Sequence, residues 1–260
     1  MIASLSAWLF LLSSTPSGLD DLIWRQDCRT VEWTRCTESI VSVSKMVGNY
    51  TQLAVYDRCP YQYFRKYMER TYPWPERTGK QNSGTDVHAI LASWVRGAKP
   101  LSGWPMDERA YALAEQIINA RYHPDTIIKA ELKIEIDKSF MPTKGSPWVN
   151  GVLDYVILCP PRALLYDWKT GNRYEDPAEL RLHALLLHCL YPELTAIQGT
   201  YVWLKDGSLG VTYDLSNTLQ TALDLKRVMQ EIGERQVWPK QRNALCGWCD
   251  LKECENWRPR

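Results

Sequence analysis

Asn150-Gly151-Val152-Leu153-Asp154-Tyr155-Val156-Ile157-Leu158-Cys159-Pro160-Pro161-Arg162-Ala163-Leu164-Leu165-Tyr166-Asp167-Trp168-Lys169-Thr170-Gly171 is the stretch around which the chain is organised. Two apolar, strand-like runs, Val152 to Cys159 and Ala163 to Trp168, flank the Pro160-Pro161 break, which predicts neighbouring strands joined by a tight connection. Asp154 interrupts the first run and Asp167 ends the second. Side chains alternate between the faces of a strand, so Asp167 and Lys169 project to one side with Trp168 opposite. The expectation is two carboxylates and an ammonium gathered at one sheet edge.

Such a group suits phosphodiester hydrolysis. Two acidic oxygen ligands can hold Mg²⁺ or Mn²⁺, and the ion acidifies a bound water and offsets charge developing on phosphorus. Lys169 is then placed to orient that water or to stabilise the transition state. The competing reading of Asp167 to Gly171 is a strand end running into a turn, with exposed charges that take no part in chemistry; these residues alone leave both open.

Composition sets the frame. The 260 residues are 45% hydrophobic and 23% charged, enough to bury a substantial core as one domain with additions. With 31 basic and 30 acidic residues the net charge is +1, so any path for nucleic acid is a local basic groove. No G-x-x-x-x-G-K-[ST] motif is present, so this sequence carries no P-loop motor. Met1 to Leu12 has the apolar length of a signal segment, but no Lys or Arg precedes it and it is too short to span a bilayer. We therefore expect a cytoplasmic, intracellular protein with no membrane partner. Ser13 to Ser44 has no clear period, so residues 1–45, with Cys28 and Cys36 as free thiols, read as an accessory extension or as upstream translation of a shorter gene product, ahead of a folded domain (46–260).

The remaining elements read in chain order. Thr51 is an N-cap candidate for a helix ending near Cys59, and Pro60 suits the first turn of a second short helix. Along these helices Tyr61, Tyr63, Phe64 and Tyr67 read as packing residues, with stacking as the alternative, while Arg58, Arg65, Lys66 and Arg70 form a stripe able to meet phosphates. Gly84 to Val95 predicts an amphipathic helix with Val87, Leu91, Trp94 and Val95 on one face and His88 early in it. Asp107 to Arg121 predicts another. Ile127 to Asp137 alternates like a strand with one wet face, and the loop from Lys138 to Pro147 offers Lys138 and Lys144 as candidate substrate contacts. Pro177 to Leu190 predicts a helix with Leu182, Leu185, Leu186 and Cys189 on its apolar face. Strands over Ala196 to Lys205 and Gly210 to Leu215 surround an Asp206-Gly207 turn, and Asn217 to Gln236 is a final long helix. Cys159 and Cys189, inside apolar runs, are expected as buried thiols.

In this order, Cys59-Pro60 with its aromatic and basic followers, Gly84-x-x-x-His88, Gly151-x-x-Asp154 and Asp167-Trp168-Lys169-Thr170-Gly171 resemble the motifs of the RecB-like branch of the PD-(D/E)XK nucleases, over roughly residues 50 to 256. The resemblance implies an α/β fold, a mixed central sheet flanked by helices, and a Mg/Mn-dependent deoxyribonuclease. It places His88, Asp154 and Asp167 on the metal and gives Lys169 the nucleophile to position. Glu131, where the family commonly has an acidic residue, is a secondary ligand candidate beside its plain reading as a surface charge. A neutral imidazole ligand favours Mn²⁺ over Mg²⁺. One departure stands out: where the family reads Gln-Leu-x-x-Tyr-Ala, this chain has Glu179-Leu180-Arg181-Leu182-His183-Ala184. The implied activity is exonucleolytic cleavage of DNA in repair, recombination or phage DNA processing, with a helicase, a single-strand annealing protein or a CRISPR integrase as partner. The alternatives are a CRISPR adaptation nuclease and a non-catalytic DNA-binding scaffold that keeps the nuclease fold.

The tail carries Cys246-Gly247-Trp248-Cys249-Asp250-Leu251-Lys252-Glu253-Cys254, a C-x2-C-x4-C cluster. Three such thiolates need a fourth to complete a tetrahedral set, and Cys59 is the obvious one. The arrangement resembles the [4Fe-4S] staple of AddB-type and CRISPR-associated RecB-like nucleases, with the last spacing one residue shorter. A four-thiolate structural Zn²⁺ is the rival reading, and a disulfide pair a third.

Overall fold

The hairpin read from residues 150 to 171 is the middle of a larger sheet. The computed structural model describes residues 47–73, 79–100, 105–120 and 123–259; the extension read over 1–45, with its two cysteines, lies outside them. Helices α1 (Tyr50–Arg58), α2 (Pro60–Tyr63), α3 (Gly79–Val95) and α4 (Glu108–Ile118) come before the strands. Strands β1 (Ile127–Ile136), β2 (Val149–Cys159) and β3 (Arg162–Lys169) lead through α5 (Ala178–Leu190) to β4 (Ala196–Trp203), β5 (Ser208–Asp214) and α6 (Thr218–Glu234). Among the described residues the strands form one five-stranded sheet in chain order. Neighbours are antiparallel except β3 and β4. A parallel pair needs a long crossover, and α5 is that crossover. The mixed sheet flanked by helices is the fold class that the resemblance implies.

Both faces of the sheet are covered. Leu153, Val156, Leu158, Leu165 and Tyr201 pack on one side with Leu186 of α5 and with Leu225 and Met229 of α6. Tyr155, Ile157, Tyr166, Trp168 and Val202 pack with Val87, Leu91 and Trp94 of α3 and Ala114 and Ile117 of α4. Leu153 and Tyr155, two residues apart on one strand, thus belong to different cores, so the alternation slips at Asp154. Across from it, Ala130 pairs with Tyr155 and Leu132 with Leu153, which leaves Glu131 opposite Asp154 with φ of 52°. A non-glycine residue rarely adopts this left-handed backbone, and such irregularities gather at functional sites.

Some local expectations change. The cap of α1 is Asn49, whose extended backbone lets its side chain accept the Gln52 N–H at 3.0 Å; Thr51 falls inside the first turn. Helix α5 is buried nearly all round, through Leu180, Leu182, His183, Ala184, Leu185, Leu186 and Leu187, because α1 and α6 cover what the sheet does not. Cys159 and Cys189 are only partly buried. Among the described residues no helix is long and apolar enough to cross a membrane.

Candidate active site and cysteine centre

The β2–β3 ladder runs from Cys159 and Arg162 to Tyr155 and Tyr166. The next positions in that register are Asp154 and Asp167, and there the strands part: β2 continues along β1, while β3 continues along β4 as far as Lys169 and Trp203. Beyond the last pair, the Trp168 N–H donates to Asp154 Oδ2 at 2.9 Å. The two carboxylates therefore meet at an internal fork rather than at the expected sheet edge, because β1 and β4 flank the hairpin on either side.

Helix α3 brings His88 to this fork. Its Nδ1 lies 3.2 Å from Asp154 Oδ1 and 3.9 Å from Glu131 Oε1. The donor atoms of His88, Glu131 and Asp154 all lie within 4.8 Å of one another, and they come from three separate elements. One turn before His88, a Cβ on Gly84 would meet Thr170 Oγ1 at 3.2 Å, so the glycine lets the helix lie against the turn that follows β3. Two carboxylates and one imidazole are a donor set that fits Mg²⁺ or Mn²⁺. The electrostatics agree. Burial, and then the Asp154 charge, push the Glu131 carboxyl up, against the opposing pull of His88 and Arg96. Burial would lower the His88 imidazole, but its hydrogen bond to Asp154 and the charges of Asp154, Asp167 and Glu131 hold it above its ordinary value. Acceptors crowded in this way are relieved by a shared cation.

Asp167, 4% exposed, stands outside that close group. Lys169 engages it: the Nζ is 2.6 Å from Asp167 Oδ2 and 2.6 Å from Glu179 Oε2. Trp168, between them, points into the opposite core, as strand alternation predicts. Burial and the Asp154 charge raise the Asp167 carboxyl well above the usual carboxylate range despite Lys169. Burial would lower the Lys169 ammonium, but Asp167 and Glu179 outweigh it and keep it above its ordinary value. His183 Nδ1 lies 3.9 Å from Asp167 Oδ1, and burial pushes this imidazole down. Gly151 permits the approach of α5, since a Cβ there would fall 2.7 Å from Leu186 Cδ1 and 3.3 Å from His183 Cδ2. Glu179 and His183, the two departures from the resembled motif, both lie in the site. Sequence reasoning left the Glu179 contact with Lys169 unread; its only trace was a carboxylate in the first turn of the helix that follows the Lys169 strand.

Cys59, Cys246, Cys249 and Cys254 line one cavity of about 410 Å³, and none of them is in a disulfide. Gln62 Nε2 donates to Cys249 Sγ at 3.6 Å and the Asn243 N–H donates to Cys246 Sγ at 3.3 Å. Burial, with Cys59 and Cys254 nearby, pushes the Cys249 thiol up. Three of the basic residues expected along a phosphate stripe gather here. Arg58 and Lys66 line the cavity, with the Lys66 Nζ 4.4 Å from the Tyr72 ring centroid. Arg65 donates to Tyr61 Oη at 2.7 Å and pairs with Glu253 of the tail at 3.1 Å. Arg70 and Lys144 are exposed on separate loops. Of the aromatic residues, Tyr63 is buried in a small core with Val55, Tyr56 and Ile232, and Phe64 stacks on Trp238 at 5.2 Å.

A family model for the PD-(D/E)XK nuclease superfamily matches residues 49–254. No curated protein matches the chain. Among solved structures, one titled "Crystal structure of SSO0001" aligns with a TM-score of 0.46 and 14% sequence identity, covering 83% of this chain and 89% of that one. The family match takes in α3, the β1–β2–β3 fork and the tail cysteines, and on that match the chain belongs to the PD-(D/E)XK nuclease superfamily.

Proposed function

We propose that this protein is a Mg²⁺- or Mn²⁺-dependent deoxyribonuclease of the RecB-like branch that degrades DNA from an end. The observation that carries the reading is the meeting of His88, Glu131 and Asp154 within 4.8 Å, beside the Asp167–Lys169 pair. These three side chains, with Asp167 as a fourth candidate across the fork, would hold the divalent ion. Bound there, the ion supplies an acidified water and offsets negative charge on the phosphoryl oxygens. Lys169, held as a cation by two carboxylates, serves as a hydrogen-bond donor that orients the attacking water and stabilises charge on phosphorus, not as a general base. Glu179 restricts the rotamers of Lys169 from the far side. In-line attack by water leaves a 5′-phosphate. A helicase, a single-strand annealing protein or a CRISPR integrase is the kind of partner that would present an end.

The cysteines Cys59, Cys246, Cys249 and Cys254 are assigned to a [4Fe-4S] cluster that ties the α1–α2 corner to the tail. All four thiols line one cavity and none is in a disulfide, as a shared four-thiolate centre requires. A four-thiolate Zn²⁺ is the rival occupant.

Anaerobic purification, followed by Mn²⁺-dependent digestion of end-labelled linear and closed circular DNA, tests both assignments. A brown protein containing iron and sulfide that degrades only the linear DNA is expected. A colourless zinc protein would remove the cluster, and a folded, DNA-binding protein that cuts neither substrate would sink the enzymatic reading.

A further inference from the structure

A smaller cavity, about 170 Å³, opens beside Lys169. Tyr50, Tyr174, Tyr201 and Trp203 line it together with Asp176 and Glu179, and Lys169 forms part of its wall. It lies at the carboxyl ends of the parallel strands β3 and β4, where Tyr201 pairs with Asp167 and Trp203 with Lys169. Ligands of open α/β sheets settle in crevices of this kind. Three of the four rings are fixed. The Tyr201 hydroxyl donates to the Asp176 carbonyl at 2.6 Å, Trp203 Nε1 donates to Glu175 Oε1 at 3.3 Å, and Tyr50 packs against the main core. Tyr174 differs, being 71% exposed on the loop between β3 and α5. Packing gives no reason for an aromatic ring at the rim of a cavity.

The lining selects its occupant. Lys169, the one cation among the described residues of the wall, is already paired with Glu179 and Asp167, and Asp176 adds a further carboxylate whose Oδ1 accepts the Ala178 N–H. The lining thus leaves acceptors rather than an unpaired cation and disfavours a phosphate. Aromatic faces with acceptors at the edge suit a nucleobase, which is apolar on its faces and carries N–H donors on its rim. Because Lys169 belongs both to this wall and to the cleavage site, the base would be that of a nucleotide adjoining the cut. A base paired and stacked within a duplex cannot enter such a cavity without being unpaired first. We propose that this cavity is a nucleobase subsite, in which Tyr174 stacks on an unpaired base that adjoins the cut. The inference rests on the nuclease reading given above.

The test uses end-labelled single-stranded oligonucleotides in Mn²⁺, each with one abasic residue placed at successive positions around the cut. They are digested by the wild-type protein and by the Tyr174→Ala and Tyr174→Phe variants. Tyr174→Ala should lower kcat/KM by roughly 5- to 150-fold, mainly through KM, on DNA with every base present. The wild type should lose a similar factor when the abasic residue occupies one particular position, and Tyr174→Ala should lose nothing further there. Tyr174→Phe should recover most of what Tyr174→Ala loses, and the same dependence on the abasic position, since the ring and not the hydroxyl stacks. The abasic series on the wild type alone stands even if a variant is unstable. Equal losses from Tyr174→Ala on intact and abasic strands, or no dependence of the wild type on any one base, would overturn the subsite while leaving the nuclease standing. A wild type that cuts no DNA would overturn the nuclease reading, and the subsite with it.

Discussion

Replacing Gly151 by alanine tests how closely α5 lies on β2 and whether the active site depends on that approach. Built on the existing backbone, the new Cβ falls 2.7 Å from Leu186 Cδ1, 3.3 Å from His183 Cδ2 and 3.5 Å from His183 Nε2. Carbon atoms attract best at about 3.5–4.0 Å, so the Leu186 contact is too short by roughly an ångström. Leu186 and His183 are both buried, so neither can swing into solvent, and α5 must move or its side chains must leave their rotamers. Overpacking of this kind costs about 1–3 kcal/mol. Alanine offsets up to about 1 kcal/mol of that by restricting the unfolded chain. The expected net loss is about 1–2 kcal/mol, a fall of roughly 2–8 °C in melting temperature. Helix α5 also carries Glu179 and His183, so its displacement moves the clamp on Lys169, and kcat should drop by about ten- to a hundredfold with less change in KM. Thermal melts and single-turnover cleavage would be measured on Gly151→Ala, Leu186→Ala and the double variant. Leu186→Ala alone leaves a cavity costing about 2–5 kcal/mol, yet it deletes the atom in conflict. The double variant should therefore be more stable than the sum of the single losses, by about 1 kcal/mol. Strict additivity, with a wild-type melting temperature for Gly151→Ala, would falsify the close approach.

Asp154→Asn and Asp167→Asn, which keep side-chain size but remove charge, and Lys169→Ala should each lower cleavage by about a hundredfold or more. DNA affinity should stay at the wild-type level or tighten in the two Asp variants, where a repelling charge is removed, and Lys169→Ala should still bind, since affinity is expected mainly from Arg and Lys contacts to phosphates along the groove; wild-type cleavage by a folded Asp167→Asn protein would remove the proposed site. Cys59→Ser should lose bound iron and melting temperature as severely as Cys249→Ser, since thiolate ligation contributes directly to folding, whereas Cys159→Ser should keep its iron. Full iron and sulfide in Cys59→Ser would end the single-centre assignment. A chain starting at Met46 should fold, keep its metals and cleave DNA, as it retains the bridge between Gly48 and Val149. An insoluble product would show that residues 1–45 belong to the core.

Much of the candidate site was legible because its signals are local. Period-two alternation alone put Asp167 and Lys169 on one side of β3 and Trp168 on the other, and the structure has that arrangement. The helical period of Val87, Leu91 and Trp94 likewise foretold the face of α3 that is buried, which aims His88 at the fork. From its own strand Glu131 reads as a charge on an alternating run, and only the family resemblance made it a secondary ligand candidate. Its left-handed backbone and its place opposite Asp154 depend on how β1 pairs with β2, and no run of residues within β1 encodes its partner.

By itself, then, the sequence determined the central hairpin and the inventory of carboxylates, imidazole and thiols, while the mixed sheet with its flanking helices was what the order of family-like motifs implied. The hairpin and the separate helices and strands follow from turn chemistry, periodicity and spacing, which act over a few residues. Tertiary structure alone decided that Asp154 and Asp167 meet at an internal fork, that Glu179 closes on Lys169, and that α5 is buried on almost every side. It also brought Cys59 to the cavity of the three tail cysteines. Each of these depends on contacts between segments far apart in the chain, whose approach is set by packing of whole faces and by single close contacts such as that at Gly151, not by any local preference.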